Sequence, residues 1–272
     1  MGPHGRGSHD LDRPRQGAGT GSDGAATDPR PHDTAESRRR RSGDPTLAAL
    51  YDELAPGYDR LTRLVSFGRD GRWRSAAVAA TGLVAGDAVV DVAAGTGKLA
   101  TALADRVGPF GHVVAIDLSP AMVERGAAAT RDIVQLEYVV GDATALPFED
   151  ARFDAATIAF GLGGLGDIAA ALVEIGRVVR PGGRIVCLER TAPTPWWWGR
   201  LYGSAVRRLA PLAGRAVGGG SAYGRIAEAV PAPPRATTLV EAMTAAGLVD
   251  VRLRRFWLGS VALVVGSRPT AG

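Results

Sequence analysis

The feature that most constrains this chain is a short apolar run that leads into two closely spaced glycines. Ala88 to Val92 is rich in β-branched residues, which is typical of a central parallel strand covered on both faces. Gly95 and Gly97 allow a sharp turn and let a ligand approach the backbone where a Cβ would collide. A helix is predicted from Lys98, and its first N–H groups and its dipole would face that ligand. The stretch predicts a ligand-binding turn.

An acidic residue follows at the spacing expected of a side chain that binds a nucleoside. Asp117 ends the next apolar run, twenty residues beyond Gly97, and a carboxylate there can accept both hydroxyls of a ribose. The glycines alone leave the cofactor open, because residues 95–100 also match the dinucleotide pattern G-x-G-x-x-G/A. A structural turn with a helix-capping aspartate is a further alternative.

Asp91 favours S-adenosylmethionine (AdoMet) as the cofactor. A carboxylate at the end of the strand attracts a cationic amino-acid head group, whereas it would repel a pyrophosphate. The order Asp-x-Ala-x-Gly-x-Gly, followed by a ribose-binding aspartate, resembles the first two motifs of class I methyltransferases.

The chain after residue 87 alternates predicted strands with predicted helices, which indicates a parallel sheet with right-handed crossovers. The spacing predicts a last hairpin around Gly259, which a standard dinucleotide fold lacks. We therefore expect an α/β, Rossmann-like class I methyltransferase fold: a seven-stranded, mostly parallel sheet with helices on both faces and an antiparallel C-terminal hairpin. The predicted strands are 88–92, 113–116, 135–140, 155–160, 184–189, 249–258 and 260–265.

Composition divides the chain into a tail and one domain. Residues 1–44 have almost no large apolar side chains, and we predict disorder because such a segment cannot offset its ordering entropy. The domain, 45–272, begins with helices at 45–85 that suit a lid over a pocket. We expect residues 196–235 to be an apolar insert on the substrate side. The three tryptophans at 196–198 indicate either the apolar entrance of a pocket for a hydrophobic substrate or a contact with a membrane surface.

Charge and reactive side chains exclude several functions. The formal net charge is +4, but the basic residues are spread along the chain, which argues against a nucleic-acid partner. Cys187 is the single cysteine and lies in an apolar run, so we expect a buried core residue. Three of the four histidines lie in the tail and His112 starts a strand, so neither a metal site nor a Ser-His-Asp mechanism is expected.

The cellular location is also constrained by the sequence. No apolar run approaches the length of a membrane span, and the N-terminus lacks the apolar core of a signal peptide. We therefore expect a cytoplasmic protein, at most peripheral to the inner face of the membrane, and a homodimer is a further expectation.

From about Tyr51 to Arg268 the chain resembles the C-methyltransferases of ubiquinone and menaquinone biosynthesis. The motif around Gly95 is general among AdoMet enzymes, whereas other matching pieces are more discriminating. Those pieces are Tyr58-Asp59, Ser66-Phe67-Gly68, Trp73, Leu146-Pro147-Phe148, Ile158-Ala159-Phe160-Gly161-Leu162 and Leu188-Glu189.

The resemblance implies AdoMet contacts at Thr96, Asp117, Asp142 and Ala143. The acceptor at Asp142 also suits an adenine amino group, and Ala143 can offer a backbone N–H. The complete predicted cofactor set is Asp91, Ala93, Gly95, Thr96, Gly97, Asp117, Leu118, Asp142, Ala143 and Phe160.

The departures from the family pattern concern the substrate pocket. Gly163 and Gly164 stand where the family has Arg-Asn, and Thr62 stands where it usually has Asn. Tyr223-Gly224-Arg225 replaces a Tyr-Arg-Tyr. Because three polar pocket residues are lost together, we expect an altered substrate or altered chemistry on an unchanged fold.

Methyl transfer to a quinol ring requires deprotonation of a phenol whose pKa is about 10, so a base or an electropositive neighbour is needed. With no histidine in place, the candidates are Tyr58, Asp59 and Glu189, with Arg190 beside them. Our main hypothesis is an AdoMet-dependent C-methyltransferase acting on demethylmenaquinol or a similar small lipophilic aromatic. The alternatives are a methyltransferase of secondary metabolism, a non-catalytic AdoMet-binding partner and, last, an NAD oxidoreductase.

Overall fold

The computed structural model describes residues 45–195, 197–201, 204 and 232–270. Short 3-10 turns lie at Leu162–Gly164 and Trp257–Gly259, and residues 197–201 are helical. The described helices are α1 (Pro45–Leu54), α2 (Tyr58–Val65), α3 (Asp70–Thr81), α4 (Lys98–Val107), α5 (Pro120–Ala129), α6 (Ile168–Val178) and α7 (Ala236–Ala245). The strands are β1 (Ala88–Val92), β2 (His112–Asp117), β3 (Leu136–Val140), β4 (Phe153–Ala159), β5 (Val179–Arg190), β6 (Val249–Phe256) and β7 (Val261–Ser267).

The seven strands form one sheet in the order β3-β2-β1-β4-β5-β7-β6. The pairs from β3 to β5 are parallel, whereas β7 runs antiparallel to both β5 and β6. The predicted mostly parallel sheet with an antiparallel C-terminal hairpin is therefore confirmed. The chain runs from β1 outward to β2 and β3 and then returns to β4 on the other side of β1. Open α/β sheets bind their ligands at the carboxyl edge of such a point.

Helices cover both faces of the sheet. Successive residues of a strand point to opposite faces, so Val89 packs with α3 and α4 while Val90 packs with α6 and α7. Both valines are fully buried. This two-sided burial is the physical reason why the parallel strands read as continuous apolar runs. Cys187 is buried in the α6–α7 layer, as predicted.

The start of β5 differs from the prediction. The segment Arg180-Pro181-Gly182-Gly183 was expected to form a turn before a strand at 184–189, but the strand begins at Val179. The Gly182 N–H donates to the Arg268 carbonyl, and the Arg268 N–H donates to the Gly183 carbonyl (both 2.9 Å). The glycines therefore belong to an irregular strand end, because backbone partners beyond β7 pair with them.

Several predictions concern residues outside the described part of the chain. They are the disordered tail at 1–44, a helix at 221–230, Trp196, Tyr223-Gly224-Arg225 and most of the insert 196–235. The described residues all belong to one compact unit, which spans residues 34–272. None of the helices in the described ranges has both the length and the apolar character that a bilayer crossing requires.

Candidate active site

A cavity opens at the carboxyl ends of β1, β2 and β4, where the connections reverse direction. It encloses about 910 Å³, counting the part open to solvent, and α1, α2 and α3 each contribute to its wall. Two lining residues without the freedom of glycine, Ala93 and Phe160, have positive φ angles of 52° and 60°. Backbone strain of this kind concentrates at functional sites. Eight of the ten predicted cofactor residues line the cavity, namely Ala93, Gly95, Thr96, Asp117, Leu118, Asp142, Ala143 and Phe160.

The glycine turn joins β1 to α4, and α4 starts at Lys98 as predicted. Gly95 and Gly97 have φ angles of 58° and 80°, which few other residues adopt readily. Gly97 does not line the cavity; a Cβ built on it would lie 1.9 Å from the hydroxyl oxygen of Tyr138. Gly97 thus lets the start of α4 pack against β3, while Gly95 forms the cavity wall.

Replacing Gly97 with Ala is expected to lower the free energy of unfolding by about 3 kcal/mol, because backbone strain and a steric clash with Tyr138 act together. The matched control is Gly108→Ala. Gly108 also has a positive φ, 68°, but nothing lies within 4 Å of a Cβ built there. We expect the control to lose about 1 kcal/mol from strain alone. Urea unfolding measures the free energy of unfolding of both variants, and equal losses in the two would contradict the steric clash with Tyr138.

Asp117 connects the glycine turn to α5. Its Oδ2 accepts the backbone N–H of Gly95 (2.7 Å) and its Oδ1 accepts that of Ser119 (2.9 Å), while the backbone N–H of Leu118 is a third donor to the carboxylate. The two oxygens together have four acceptor positions, so one is left that can accept a ribose hydroxyl. Burial raises the pKa of Asp117, while the three N–H donors oppose that shift. The geometry fits a nucleoside bound beside the turn.

Asp142 lies at the end of β3 and shapes the next loop. Its Oδ1 accepts hydrogen bonds from the backbone N–H (2.8 Å) and the hydroxyl (2.9 Å) of Thr144. These bonds hold the loop so that Asp142 and Ala143 both face the cavity. They follow the strand that pairs directly with that of Asp117, and this position suits the base of the same nucleoside.

Asp91 is not part of the cavity wall, although the sequence predicted that it would hold a cationic head group. It is 1% exposed and lies on the face of β1 that packs against α4. Its Oδ1 accepts a hydrogen bond from the Thr157 hydroxyl (2.6 Å), and Ala100 donates a backbone hydrogen bond to the carboxylate. The alternation along β1 explains the position, because Val92, the next residue, is the one that lines the cavity. Its predicted cofactor contact stays a prediction.

Burial raises the pKa of Asp91 from 3.8 to about 7. The folded protein then holds a proton that the unfolded chain releases above about pH 4, so this residue makes stability fall as pH rises from 4 to 7. Between pH 4 and 7 the free energy of unfolding of the native protein should fall by roughly 2–4 kcal/mol more than that of the Asp91→Asn variant. Urea unfolding at pH 4.5, 6 and 8 tests this expectation. Parallel pH curves for the two proteins would contradict it, and the exposed Asp105→Asn serves as control.

The entry helices are attached to the cavity wall by two carboxylates. Asp52 accepts a hydrogen bond from the Ser119 hydroxyl (2.5 Å), and Asp59 accepts one from the Thr96 hydroxyl (2.7 Å). Lys98 lies 3.5 Å from Asp59 and completes the link between α2 and the glycine turn. Asp59 therefore lies beside the wall and does not line the cavity. Its predicted catalytic role stays a prediction.

Tyr58 does line the cavity, beside Tyr51 of α1. The two rings meet edge to face, with their centroids 6.1 Å apart. Burial raises the pKa of both hydroxyls. At neutral pH both tyrosines are therefore hydrogen-bond donors to a bound oxygen, and neither is ionised.

Arg74 is a functional candidate that the sequence analysis missed. It lines the cavity from α3, with its guanidinium carbon 5.4 Å from the centre of the Phe160 ring. Its Nε is buried without a hydrogen-bond partner among the described residues. A buried guanidinium N–H without a partner costs free energy, which an anionic oxygen in the cavity would recover. The only available signal was its place next to Trp73, whose ring packs near Phe160.

Glu189 lies behind the cavity and positions the loop after β4. Its carboxylate accepts the backbone N–H groups of Leu162 (2.9 Å) and Arg190 (2.8 Å), with a further backbone bond from Gly163. Burial raises its pKa, and the residue is 4% exposed. Gly164 of the same loop lines the cavity, and because glycine has no side chain, the cavity is wider at this position than it would be with a larger residue. A catalytic role for Glu189 stays a prediction.

Comparison with known proteins identifies the family. Residues 39–268 match the model of the ubiE/COQ5 methyltransferase family. The chain is 40% identical over 223 residues to a demethylmenaquinone methyltransferase of Thermus thermophilus, and the matched region covers 81% of this chain and 100% of the relative. It is 39% identical to the enzyme of that name from Clavibacter sepedonicus, over 82% of this chain and 90% of the relative.

Solved structures agree with the fold. A SAM-dependent methyltransferase of Thermotoga maritima superposes with a TM-score of 0.57 at 17% identity, over 82% of this chain and 99% of that one. The sheet order, the cavity at its carboxyl edge and the family match all agree. The chain therefore belongs to the ubiE/COQ5 methyltransferase family and is an enzyme that uses S-adenosyl-L-methionine as its methyl donor.

Proposed function

We propose that this enzyme transfers a methyl group to a ring carbon of demethylmenaquinol. The relatives named demethylmenaquinone methyltransferase, which it matches over about four fifths of its length, are the first support. The observation that carries the proposal is the cavity wall itself, which combines aromatic side chains with the unpartnered Arg74 Nε. Such a wall suits a flat apolar ring that bears an ionisable oxygen.

AdoMet supplies the methyl group on a sulfonium. Asp117 would accept a ribose hydroxyl of the bound cofactor, and Asp142 with Ala143 would face its adenine. Gly95 and Thr96 line the turn next to the donor. The enzyme orients the two reactants and excludes water, which is the main requirement of an in-line displacement.

Arg74 is the electropositive group in this proposal. Its guanidinium would stabilise the phenolate that the acceptor forms by releasing its phenolic proton to water, which makes the ring carbon nucleophilic at neutral pH. The bond from carbon to the methyl group would form as the bond from sulfur to that group breaks, leaving a neutral thioether, and the ring carbon would then release its own proton to water and become aromatic again. Tyr58 donates a hydrogen bond to an oxygen of the acceptor, because its raised pKa keeps it protonated. Arg74 thus supplies the positive charge that the arginine of the family pattern would bring at the position of Gly163.

The test is incubation of the purified protein with methyl-labelled AdoMet and reduced demethylmenaquinone, followed by extraction into organic solvent. We expect label in the organic phase, and much less of it with the Asp117→Asn variant when the AdoMet concentration is close to the Kd of the native enzyme. Binding of AdoMet is measured in parallel by calorimetry. AdoMet binding without transfer would reject the quinol and retain the family function.

A second candidate function is methylation of another small aromatic or polyketide-like acceptor, as in secondary metabolism. Gly163 and Gly164 favour it, because they widen the side of the cavity that the family pattern fills with polar groups. A panel of phenolic acceptors with the same label separates the two functions. A protein that binds AdoMet but methylates no acceptor would instead be a non-catalytic partner.

We also propose that this enzyme is cytoplasmic and contacts the inner face of the membrane as a peripheral protein, because its proposed acceptor is lipophilic. A homodimer is proposed as its assembly state, and sedimentation equilibrium of the purified protein tests it. A single species with the mass of one chain would contradict the dimer.

A further inference from the structure

Five large apolar side chains are exposed around Trp257, at the carboxyl edge of the sheet. We call Leu64, Phe67, Trp197, Leu201 and Leu258 the Trp257 surface. Each is between 50% and 58% exposed. Exposed single apolar residues are ordinary, but a contiguous group marks an interaction site.

Direct contacts join these residues into one group. The rings of Phe67 and Trp198 lie 5.6 Å and 5.8 Å from that of Trp257, and Trp197 lies 6.1 Å from Trp198. Phe67 lies in the turn that ends α2, where its N–H donates to the Leu64 carbonyl (3.0 Å), and Leu201 follows Trp197 by one helical turn. Leu258 is the next residue after Trp257, so the surface is built from three separate chain segments.

The backbone at this surface is strained. Phe67, Trp257 and Leu258 have φ angles of 51°, 47° and 52°, a region that bulky side chains rarely occupy. Each such residue raises the free energy of the folded chain, and such conformations persist where they serve a function. Here the conformation directs apolar side chains outward, because Phe67 and Leu258 are both about half exposed.

The charge around the apolar centre is strongly positive. Segments 60–74, 197–201 and 251–258, which carry the surface, contain nine arginines and one acidic residue. That acid, Asp70, already accepts a hydrogen bond from Ser66 and lies 3.7 Å from Lys98. Arg69 stacks over the Trp257 ring, with its guanidinium carbon 5.5 Å from the ring centre. Eight of the nine arginines remain when Arg74 of the cavity wall is left out, in a chain whose net charge is only +4, so this region departs from the even spread of basic residues along the sequence.

We infer that the Trp257 surface binds an anionic lipid bilayer. Apolar and aromatic side chains at the centre with arginines around them are the distribution that binds the interface of such a bilayer. The Trp73 ring lies 5.8 Å from Trp257 and 6.3 Å from Phe160, which lines the cavity. The bound bilayer would therefore face the side of the protein from which the cavity is reached. The inference deepens the proposed peripheral location, and it does not depend on the identity of the acceptor.

Vesicle sedimentation with the full-length protein tests the inference. Vesicles that contain 30% phosphatidylglycerol in phosphatidylcholine should bind the native protein, and pure phosphatidylcholine should bind it at least about tenfold more weakly. The test variant is Phe67→Asn with Leu258→Asn. Asparagine tolerates positive φ, so this double variant should keep or raise the melting temperature while vesicle binding falls about tenfold or more.

The matched control is Phe110→Asn, since Phe110 is 91% exposed but lies before β2 at the opposite edge of the sheet. We expect unchanged vesicle binding for this control. A second variant, Arg63→Gln with Arg200→Gln, should weaken binding to anionic vesicles and reduce its salt dependence.

Three results would overturn the inference. One is a native protein that binds neither type of vesicle, and another is equal binding to neutral and anionic vesicles. The third is a Phe67→Asn, Leu258→Asn variant whose oligomeric state changes while vesicle binding is retained, which would assign the surface to a second copy of the chain. AdoMet affinity of each variant, measured by calorimetry, confirms that the cavity remains intact.

Discussion

The Asp117→Asn variant is expected to bind AdoMet about 100-fold more weakly than the native enzyme. Each hydrogen bond from a ribose hydroxyl to a carboxylate contributes roughly 1.5–3 kcal/mol, and the amide replaces one acceptor oxygen with a donor. A loss of about 3 kcal/mol corresponds to the expected change in Kd. Calorimetry with AdoMet measures it directly.

The substitution also places an amide beside the backbone N–H groups of Gly95 and Ser119, which the carboxylate now accepts. The melting temperature must therefore be followed in parallel, so that a loss of folding is not counted as a loss of affinity. Asp105→Asn, at an exposed position of α4, is the control and should bind AdoMet normally. A folded Asp117→Asn protein with a Kd within threefold of the native value would remove Asp117 from the cofactor site.

The Arg74→Met variant is expected to lose 100- to 1000-fold in kcat with little change in AdoMet affinity. The loss of one preorganised donor to a developing or bound oxyanion typically has an effect of this size. Without the cation, the pKa of the acceptor phenol returns toward 10, so the activity that remains should rise with pH over a wider range. Single-turnover rates between pH 6 and 10 measure both effects.

Two further variants make this test specific. Arg74→Lys should recover part of the rate, because lysine keeps the charge but lacks the planar set of donors. Arg72→Met, two residues earlier on α3 at an exposed position, should retain full activity with detergent-solubilised acceptor. If Arg74→Met instead weakens AdoMet binding and leaves the rate of the bound complex unchanged, the guanidinium holds the cofactor carboxylate and not the acceptor.

The sheet could be predicted from the sequence because its causes are local or periodic. Residues 88–92 read as a strand since both faces of β1 are buried, and Ser119 with Pro120 marks the start of α5 by its capping chemistry. The side chain of Ser119 does accept the Met122 N–H, as an N-cap should. The last hairpin was visible because Gly259 separates an alternating apolar and polar run at 249–254 from the apolar run at 261–265.

The individual roles in the site could not all be predicted, because they depend on contacts between distant segments. The orientation of Asp91 toward Thr157 depends on which face of β1 meets α4, and sequence spacing does not specify it. Arg74 is one of nine arginines in the segments around Trp257, and only the packing of α3 on Phe160 distinguishes it. The strand pairing of Gly182 likewise depends on Arg268, 86 residues away.

The ring of Tyr138 has a consequence for how this sequence can change over time. A Cβ at Gly97 or at Gly126 would lie 1.9 Å or 2.4 Å from atoms of that one ring, so neither glycine can acquire a side chain while the ring is present. A smaller residue at position 138 would remove both clashes at once, although position 97 would still favour glycine because its φ is 80°. In descendants of this chain positions 126 and 138 should therefore covary, with alanine at 126 following the loss of the ring, while glycine persists at 97.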